Sequence, residues 1–186
     1  MTGVVLCGGL STRMGSDKAF LETNDIPWVK RITSLFEEVS IPFVISINEN
    51  QQEKASQLFP DEQLIVDESI YGGPLRGILS VEKKVRDDFF VIACDLQQME
   101  ASIIQELLAS FKSNSTYDCY LFKNEGFYEP LCAIYTTKGI EKMKNYFSSN
   151  LTSYSLQKVL KKELNCFSLP ITKPELFHNS NSPEEI

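Results

Sequence analysis

The chain has 186 residues, of which 42% are hydrophobic and 23% are charged, with a formal net charge of −7. This length and balance suit a globular protein with a core of its own and argue against disorder. The net acidity argues against a general nucleic-acid binder, which needs a basic surface. The sequence has no apolar run long enough to span a bilayer and no signal-peptide pattern, so we predict a cytoplasmic protein with neither nucleic acid nor membrane as partner.

In the first half of the chain, short apolar runs alternate with segments of helical character. Strands are predicted at residues 3–6, 43–47, 64–66 and 89–94. Helices are predicted at residues 27–39, 49–58 and 74–85. Because these strands are apolar on both faces and alternate with helices, we predict an α/β fold with a mostly parallel central sheet between two helical layers.

The second half differs, because two of its strands are joined by a short glycine turn. A helix at residues 101–111 is followed by strands at 117–122 and 127–135, which we expect to pair antiparallel. Helices at 140–147 and 155–164, a strand at 166–169 and a terminal helix capped by Ser182 complete the prediction. We expect one domain over residues 1–186.

The stretch LCGGLSTRMGSDKAFL, residues 6–21, follows the first predicted strand. Adjacent Gly8 and Gly9 let backbone N–H groups approach an anion closely, and Arg13 and Lys18 add the cations that a triphosphate needs. We therefore interpret it as a phosphate-binding loop. We expect residues 1 to about 100 to bind a nucleotide and the remainder, about 101–186, to bind an acceptor. The spacing of the loop fits neither the Walker A pattern nor the dinucleotide fingerprint. A plain polar surface turn is the alternative.

Polar residues or glycine follow the last apolar position of four predicted strands, at Gly8, Asn48, Asp67 and Asp95. In a parallel sheet these ends lie on one edge, so we expect the four to converge on one cleft. Asp95 is the strongest candidate for a Mg²⁺ ligand, with a helix-capping role as the alternative. For Asp67 the alternatives are a second Mg²⁺ ligand, a contact with the nucleotide ribose, or a residue that simply ends the strand.

Two further segments are candidates for the walls of this cleft. Residues 71–77 place three glycines around Pro74, and the alternatives for Gly73 are a nucleotide contact or a plain strand-to-helix connection. Asn179 and Asn181 alternate, so in extended chain both amides point to one face, where they bind an acceptor or serve turn chemistry.

The five cysteines are widely spaced, form no C-x-x-C pair and accompany a single histidine, His178. These features argue against a zinc site, and most of the cysteines fall in apolar runs where a free thiol acts as a small hydrophobe. A catalytic thiol at Cys7 is the weaker alternative.

These motifs together resemble the molybdenum cofactor guanylyltransferases over essentially the whole chain. The resemblance rests on the glycine loop, on residues 73–77, on Cys94-Asp95, on residues 129–131 and on Asn179-x-Asn181-x-Pro183-Glu184. It implies a three-layer, Rossmann-like nucleotidyltransferase fold. It also implies that a Mg²⁺-dependent enzyme transfers GMP from GTP to the terminal phosphate of molybdopterin and releases pyrophosphate.

The resemblance assigns roles to individual positions. It places GTP at the positions Leu6, Cys7, Gly8, Lys18, Asn48, Asp67 and Asp95. Gly9 and Gly73 are nucleotide-binding candidates from the glycine pattern of their own segments. Arg13 and Lys18 would stabilise the leaving pyrophosphate, Asp95 would hold Mg²⁺, and Asn179 and Asn181 would face the pterin. Transient contact with cofactor-insertion proteins is a further expectation.

Two positions depart from the family pattern. Cys7 stands where alanine is usual, and Leu96 to Met99 lacks the usual proline after the metal-binding aspartate. Alternative activities are cytidylyl transfer, sugar-1-phosphate nucleotidyl transfer, or nucleotide binding without turnover.

Overall fold

The computed structural model describes residues 1–8, 17–68, 71–149 and 154–185. Within these residues, seven strands form one sheet. They are β1 (Thr2–Leu6), β2 (Phe43–Ile47), β3 (Leu64–Val66), β4 (Phe89–Ala93), β5 (Cys119–Asn124), β6 (Phe127–Tyr135) and β7 (Cys166–Pro170). A separate two-residue pairing joins Glu22–Thr23 to Ile26–Pro27.

The strand order across the sheet is β3-β2-β1-β4-β6-β5-β7. The neighbours are parallel except that β6 runs antiparallel to both β4 and β5. The mostly parallel sheet and the antiparallel β5–β6 hairpin are therefore confirmed. Since β1 to β4 all run in one direction, their carboxyl ends meet at one edge, as the sequence predicted.

The helices are α1 (Trp28–Glu38), α2 (Gln52–Ser56), α3 (Pro74–Lys84), α4 (Ala101–Ser113), α5 (Thr137–Ser149) and α6 (Leu156–Lys162). None of these described helices has the length and apolar character needed to cross a membrane.

Adjacent residues of the central strands belong to separate core clusters on the two faces of the sheet. Val5 packs in one cluster with residues of α1, α2 and α4, whereas Val4 packs in the other with residues of α3, α5 and α6. Side chains alternate across a strand, so β1 is buried on both faces. The three-layer α/β/α architecture is thereby confirmed.

Several element boundaries differ from the sequence prediction. Helix α1 begins at Trp28, because Ile26–Pro27 is taken up in the two-residue pairing and Pro27 becomes the cap. The segment predicted as helix 49–58 divides into a 3₁₀ turn at Glu49–Gln51 and the short α2. The predicted terminal helix is a 3₁₀ turn at Pro183–Glu185.

Candidate active site

A pocket of about 240 Å³ opens at the carboxyl edge of the sheet. Its lining comes from the ends of β1 and β4, the start of α3, strand β6 and Lys18. The lining residues are Leu6, Cys7, Gly8, Lys18, Gly73, Pro74, Ala93, Cys94, Asp95 and Leu131. The structure thus gathers six of the predicted site positions, Leu6, Cys7, Gly8, Lys18, Gly73 and Asp95, around one cavity.

Backbone hydrogen bonds between parallel strands continue one residue beyond the ends of β1 and β4, and they fix the positions of the site residues that follow. The Cys7 N–H donates to the Ser46 carbonyl at 2.9 Å, and the Cys94 N–H donates to the Leu6 carbonyl at 3.1 Å. Gly8 and Asp95 come immediately after these bonded positions. Their placement on adjacent strands therefore follows from backbone pairing.

Asp67 lies directly against Gly8. A methyl group at Gly8 would be 2.3 Å from Asp67 Oδ2, so only glycine allows this approach. The Ser46 hydroxyl donates to Asp67 Oδ1 at 2.7 Å. Burial raises the pKa of Asp67 to about 6, although the Ser46 hydrogen bond and the positive charge of Arg76 act to lower it. Asp67 thus lies against Gly8, which lines the pocket, and its pKa is well above that of an ordinary aspartate.

Lys18 links three parts of the site through one ammonium group. Its Nζ lies 3.5 Å from Asp95 Oδ2 and donates to Asn181 Oδ1 at 2.8 Å and to the Ser180 carbonyl at 3.2 Å. The Lys18 and Asp95 side chains are 22% and 24% exposed. A cation and a carboxylate are therefore held together at the pocket, both within reach of a ligand from solvent.

The terminal segment docks on the end of β4. The Ser180 N–H donates to the Asp95 carbonyl at 2.9 Å, and Ser180 is buried between the exposed Asn179 and Asn181. This is the alternation that the sequence predicted. Of the two asparagines, Asn181 contacts Lys18, while the Asn179 carbonyl accepts from Asn181 Nδ2 at 3.5 Å.

Asn48 lies at the same edge, but its side chain serves the local backbone. Its Oδ1 accepts from the Asn50 N–H at 3.0 Å and caps the 3₁₀ turn after β2. Its backbone nitrogen is 3.8 Å from the position of a Cβ on Gly8. The residue therefore approaches the predicted nucleotide site through its main chain.

Gly73 is the N-cap of α3 and has a backbone conformation that requires glycine. Its φ of 61° and ψ of −153° fall in a region that L residues avoid, and an added Cβ would meet no atom within 4 Å. Conformation alone thus explains the residue type at this wall of the pocket. The predicted site residues Gly9 and Arg13 lie outside the described residues.

Gln51 was not predicted as a site residue, and the structure buries it beside the site. Its side-chain amide donates to the Cys7 carbonyl at 3.0 Å and to Asp17 Oδ1 at 2.8 Å. The available signal was the N-x-x-Q spacing from Asn48, which is a capping-box pattern at the start of a helical turn.

The sequence resembles known proteins along most of its length. The family model described as a MobA-like NTP transferase domain matches residues 3–166. A molybdenum cofactor biosynthesis bifunctional protein of Synechocystis is 30% identical over 98% of the chain, which spans about half (52%) of that protein. A molybdenum cofactor guanylyltransferase of Xanthomonas euvesicatoria is 29% identical over 99% of the chain and 91% of its own length.

The fold is also shared with solved structures. Molybdopterin-guanine dinucleotide biosynthesis protein A of Archaeoglobus fulgidus superposes with a TM-score of 0.76, covering 100% of this chain and 94% of that one at 21% identity. Its similarity supports the fold alone, whereas the family model covers most of the sequence. The chain therefore belongs to the MobA-like NTP transferase family.

Proposed function

We propose that the protein transfers GMP from GTP to the terminal phosphate of the molybdopterin cofactor and releases pyrophosphate. The observation that carries the proposal is Lys18, whose ammonium lies between Asp95 on the nucleotide side and Asn181 in the terminal segment. One cation can therefore meet the phosphates of a donor nucleotide beside the segment assigned to the acceptor. Relatives named as molybdenum cofactor guanylyltransferases support the choice of substrates.

The residues act by position and charge, with no protein nucleophile. The acceptor phosphate is already anionic and attacks the α-phosphorus of GTP, while the bond to pyrophosphate breaks. Lys18 exchanges its contacts with Asn181 and Asp95 for phosphate oxygens and neutralises the leaving pyrophosphate. Arg13 is proposed for the same role from the sequence. The exposed amides of Asn179 and Asn181 are proposed to bind the pterin side of the acceptor.

The residues present fit a Mg²⁺ ion bound mainly through substrate. No group of three or more potential metal ligands occurs among the described residues. Asp95 offers one partly exposed carboxylate at the pocket, and Mg²⁺ is commonly held by one or two carboxylates together with phosphate and water oxygens. When bound there, the ion would offset the charge of the triphosphate. We propose Asp95 as its protein ligand.

We also propose which part of the chain binds each substrate, and that the protein is cytoplasmic. Residues 1 to about 100 supply the nucleotide side and residues 101–186 the acceptor side, which meet where Lys18 contacts Asn181. A cytoplasmic location is supported by the cysteines, all five of which are free thiols.

A nucleotide panel tests the proposal. GTP, CTP, ATP and UTP, each labelled at the α-phosphate, are incubated with Mg²⁺ and either molybdopterin cofactor or a sugar 1-phosphate. We expect label to enter the molybdopterin product from GTP. Transfer from CTP, or transfer to the sugar phosphate only, would overturn the assignment of substrate while keeping the chemistry. Binding of nucleotide without transfer to either acceptor would contradict the enzymatic assignment.

A further inference from the structure

Gln51 is a buried polar residue that the proposed reaction does not use directly. Its side chain is 1% exposed, so its hydrogen bonds are made inside the protein. The Nε2 atom donates to the Cys7 carbonyl at 3.0 Å and to Asp17 Oδ1 at 2.8 Å, and Oε1 accepts from the Asn48 N–H at 2.8 Å. A primary amide has two N–H donors and one carbonyl, and here all of them are engaged.

Both acceptors belong to the predicted phosphate-binding loop, residues 6–21. Cys7 follows β1 and lines the pocket, whereas Asp17 immediately precedes Lys18. Because one nitrogen bonds both residues, Gln51 fixes the distance between Cys7 near the start of the loop and Asp17 near its end.

Asp17 transmits this restraint to Lys18. The oxygen that accepts from Gln51, Oδ1, also accepts from the Ala19 N–H at 3.3 Å and caps the 3₁₀ turn Lys18–Phe20. A turn anchored at its cap holds the backbone from which the Lys18 side chain extends into the pocket. Gln51 is itself anchored, because the capping box with Asn48 fixes the start of the turn on which it lies.

We propose that Gln51 is a positioning residue for the triphosphate: it holds Cys7–Gly8 and Lys18 at the spacing that binds the phosphates of the donor nucleotide. The inference deepens the proposed function and rests on it for the use of a nucleoside triphosphate. Phosphates are common to all four nucleotides, so the effect of Gln51 should not depend on the base.

Gln51→Glu tests the proposal, with the neighbouring Gln52→Glu as matched control. The introduced carboxyl keeps an acceptor for the Asn48 N–H, loses both donors and faces the Asp17 carboxylate across a 2.8 Å contact. Gln52 is exposed, so the same chemical change there meets solvent. We expect Gln51→Glu to raise the dissociation constant of each nucleoside triphosphate at least tenfold, measured without acceptor, and Gln52→Glu to leave it within twofold.

The kinetic constants separate positioning from a loss of folded protein. A positioning defect raises the KM for the nucleotide and leaves the KM for the acceptor unchanged, whereas a reduced folded fraction lowers the apparent kcat alone. If Gln51→Glu does not fold, Asp17→Ala removes the shared acceptor at a partly exposed position and should raise the same KM. In a Lys18→Ala background, Asp17→Ala should have little further effect.

The proposal is overturned if folded Gln51→Glu and Asp17→Ala both bind nucleotides within twofold of the unmodified protein, or if only kcat changes. If the unmodified protein uses CTP in place of GTP, the proposed substrate is wrong. A tenfold weakening by Gln51→Glu that is equal for all four nucleotides would still support the positioning role.

Discussion

A methyl group at Gly77 would lie 2.4 Å from Ser46 Oγ and 2.8 Å from Leu6 Cδ2. Gly77 is in α3 and faces Ser46 of β2 and Leu6 of β1, so the helix approaches the sheet closely here. The Ser46 hydroxyl could turn away from an added methyl group, but it would then lose its 2.7 Å hydrogen bond to Asp67 Oδ1. Gly77→Ala therefore affects both packing and a carboxyl group at the candidate site.

Two effects of Gly77→Ala lower the free energy of unfolding, and one raises it. Overpacking costs about 1–3 kcal/mol, and loss of a hydrogen bond to a charged group costs about 1.5–3 kcal/mol. Alanine in place of glycine inside a helix returns about 1 kcal/mol. We expect Gly77→Ala to lower the free energy of unfolding by about 1.5–5 kcal/mol at pH 7.5, where Asp67 is ionised.

Ser46→Ala provides the matched background. On its own it should cost about 2 kcal/mol through the lost hydrogen bond. Of residue 46 it leaves only the Cβ near Gly77, at an ordinary 3.4 Å, while Leu6 Cδ2 stays at 2.8 Å. Gly77→Ala should then add less than about 1 kcal/mol, since the remaining shift of Leu6 is balanced by helix propensity. Urea unfolding of both single variants and the double variant measures the coupling. Additive costs within about 0.5 kcal/mol would refute the close contact.

Three further predictions concern the site itself. Lys18→Ala should lower turnover at least about a hundredfold with little change in melting temperature, because it removes a partly exposed cation that offsets phosphate charge; near-normal turnover would exclude the role. The pKa of Asp67 is about 6 in the folded protein, above its value in the unfolded chain. The free energy of unfolding therefore falls as pH rises from about 4 to 6, and this loss of stability remains at higher pH. Asp67→Asn should therefore stabilise the protein more at pH 7.5 than at pH 4.5 in urea unfolding, and an equal effect at both pH values would contradict the raised pKa. Gly73→Ala should cost about 1–3 kcal/mol for conformation alone, whereas Gly72→Ala, whose Cβ would only touch Tyr154 at 3.4 Å, should be much milder in the same unfolding assay; equal costs would be contrary to this reasoning.

The edge of the sheet was predictable because it follows from a general property of parallel strands. Short runs that are apolar on both faces predicted buried parallel strands, and all parallel strands end on the same side. The residue after each run was then a site candidate without any knowledge of strand order. The convergence of Gly8, Asp67 and Asp95 is the structural result of that rule.

The strand order itself was not predictable from local patterns. Strand β6 lies between β4 and β5, so the second strand of a hairpin pairs with β4 from the first half of the chain. This insertion brings Leu131 into the pocket. Periodicity and turn residues report on neighbours in sequence, and they do not indicate which distant edge a hairpin joins.

Polar contacts between residues distant in the chain could not be predicted from the sequence either. Lys18 and Asn181 were each site candidates, but their contact joins residues far apart in the chain. Gln51 lies in the polar stretch 49–58, which was predicted as a helix. Its buried side chain is hydrogen-bonded to Cys7 and Asp17, which come from another part of the chain. Hydrophobic patterning identifies the core face of an element, but it does not distinguish a buried, fully hydrogen-bonded amide from an exposed one.

The most direct test of the central claim is pyrophosphate release from GTP in the presence of Mg²⁺ and molybdopterin cofactor, comparing the unmodified protein with Asp95→Asn. Asparagine keeps the size of the side chain but removes the charge that faces Lys18 and is proposed to hold the cation. We predict acceptor-dependent release by the unmodified protein and a loss of at least about a hundredfold in the variant, with nucleotide still bound. Equal release by both proteins would contradict the assignment of the catalytic site at the end of β4.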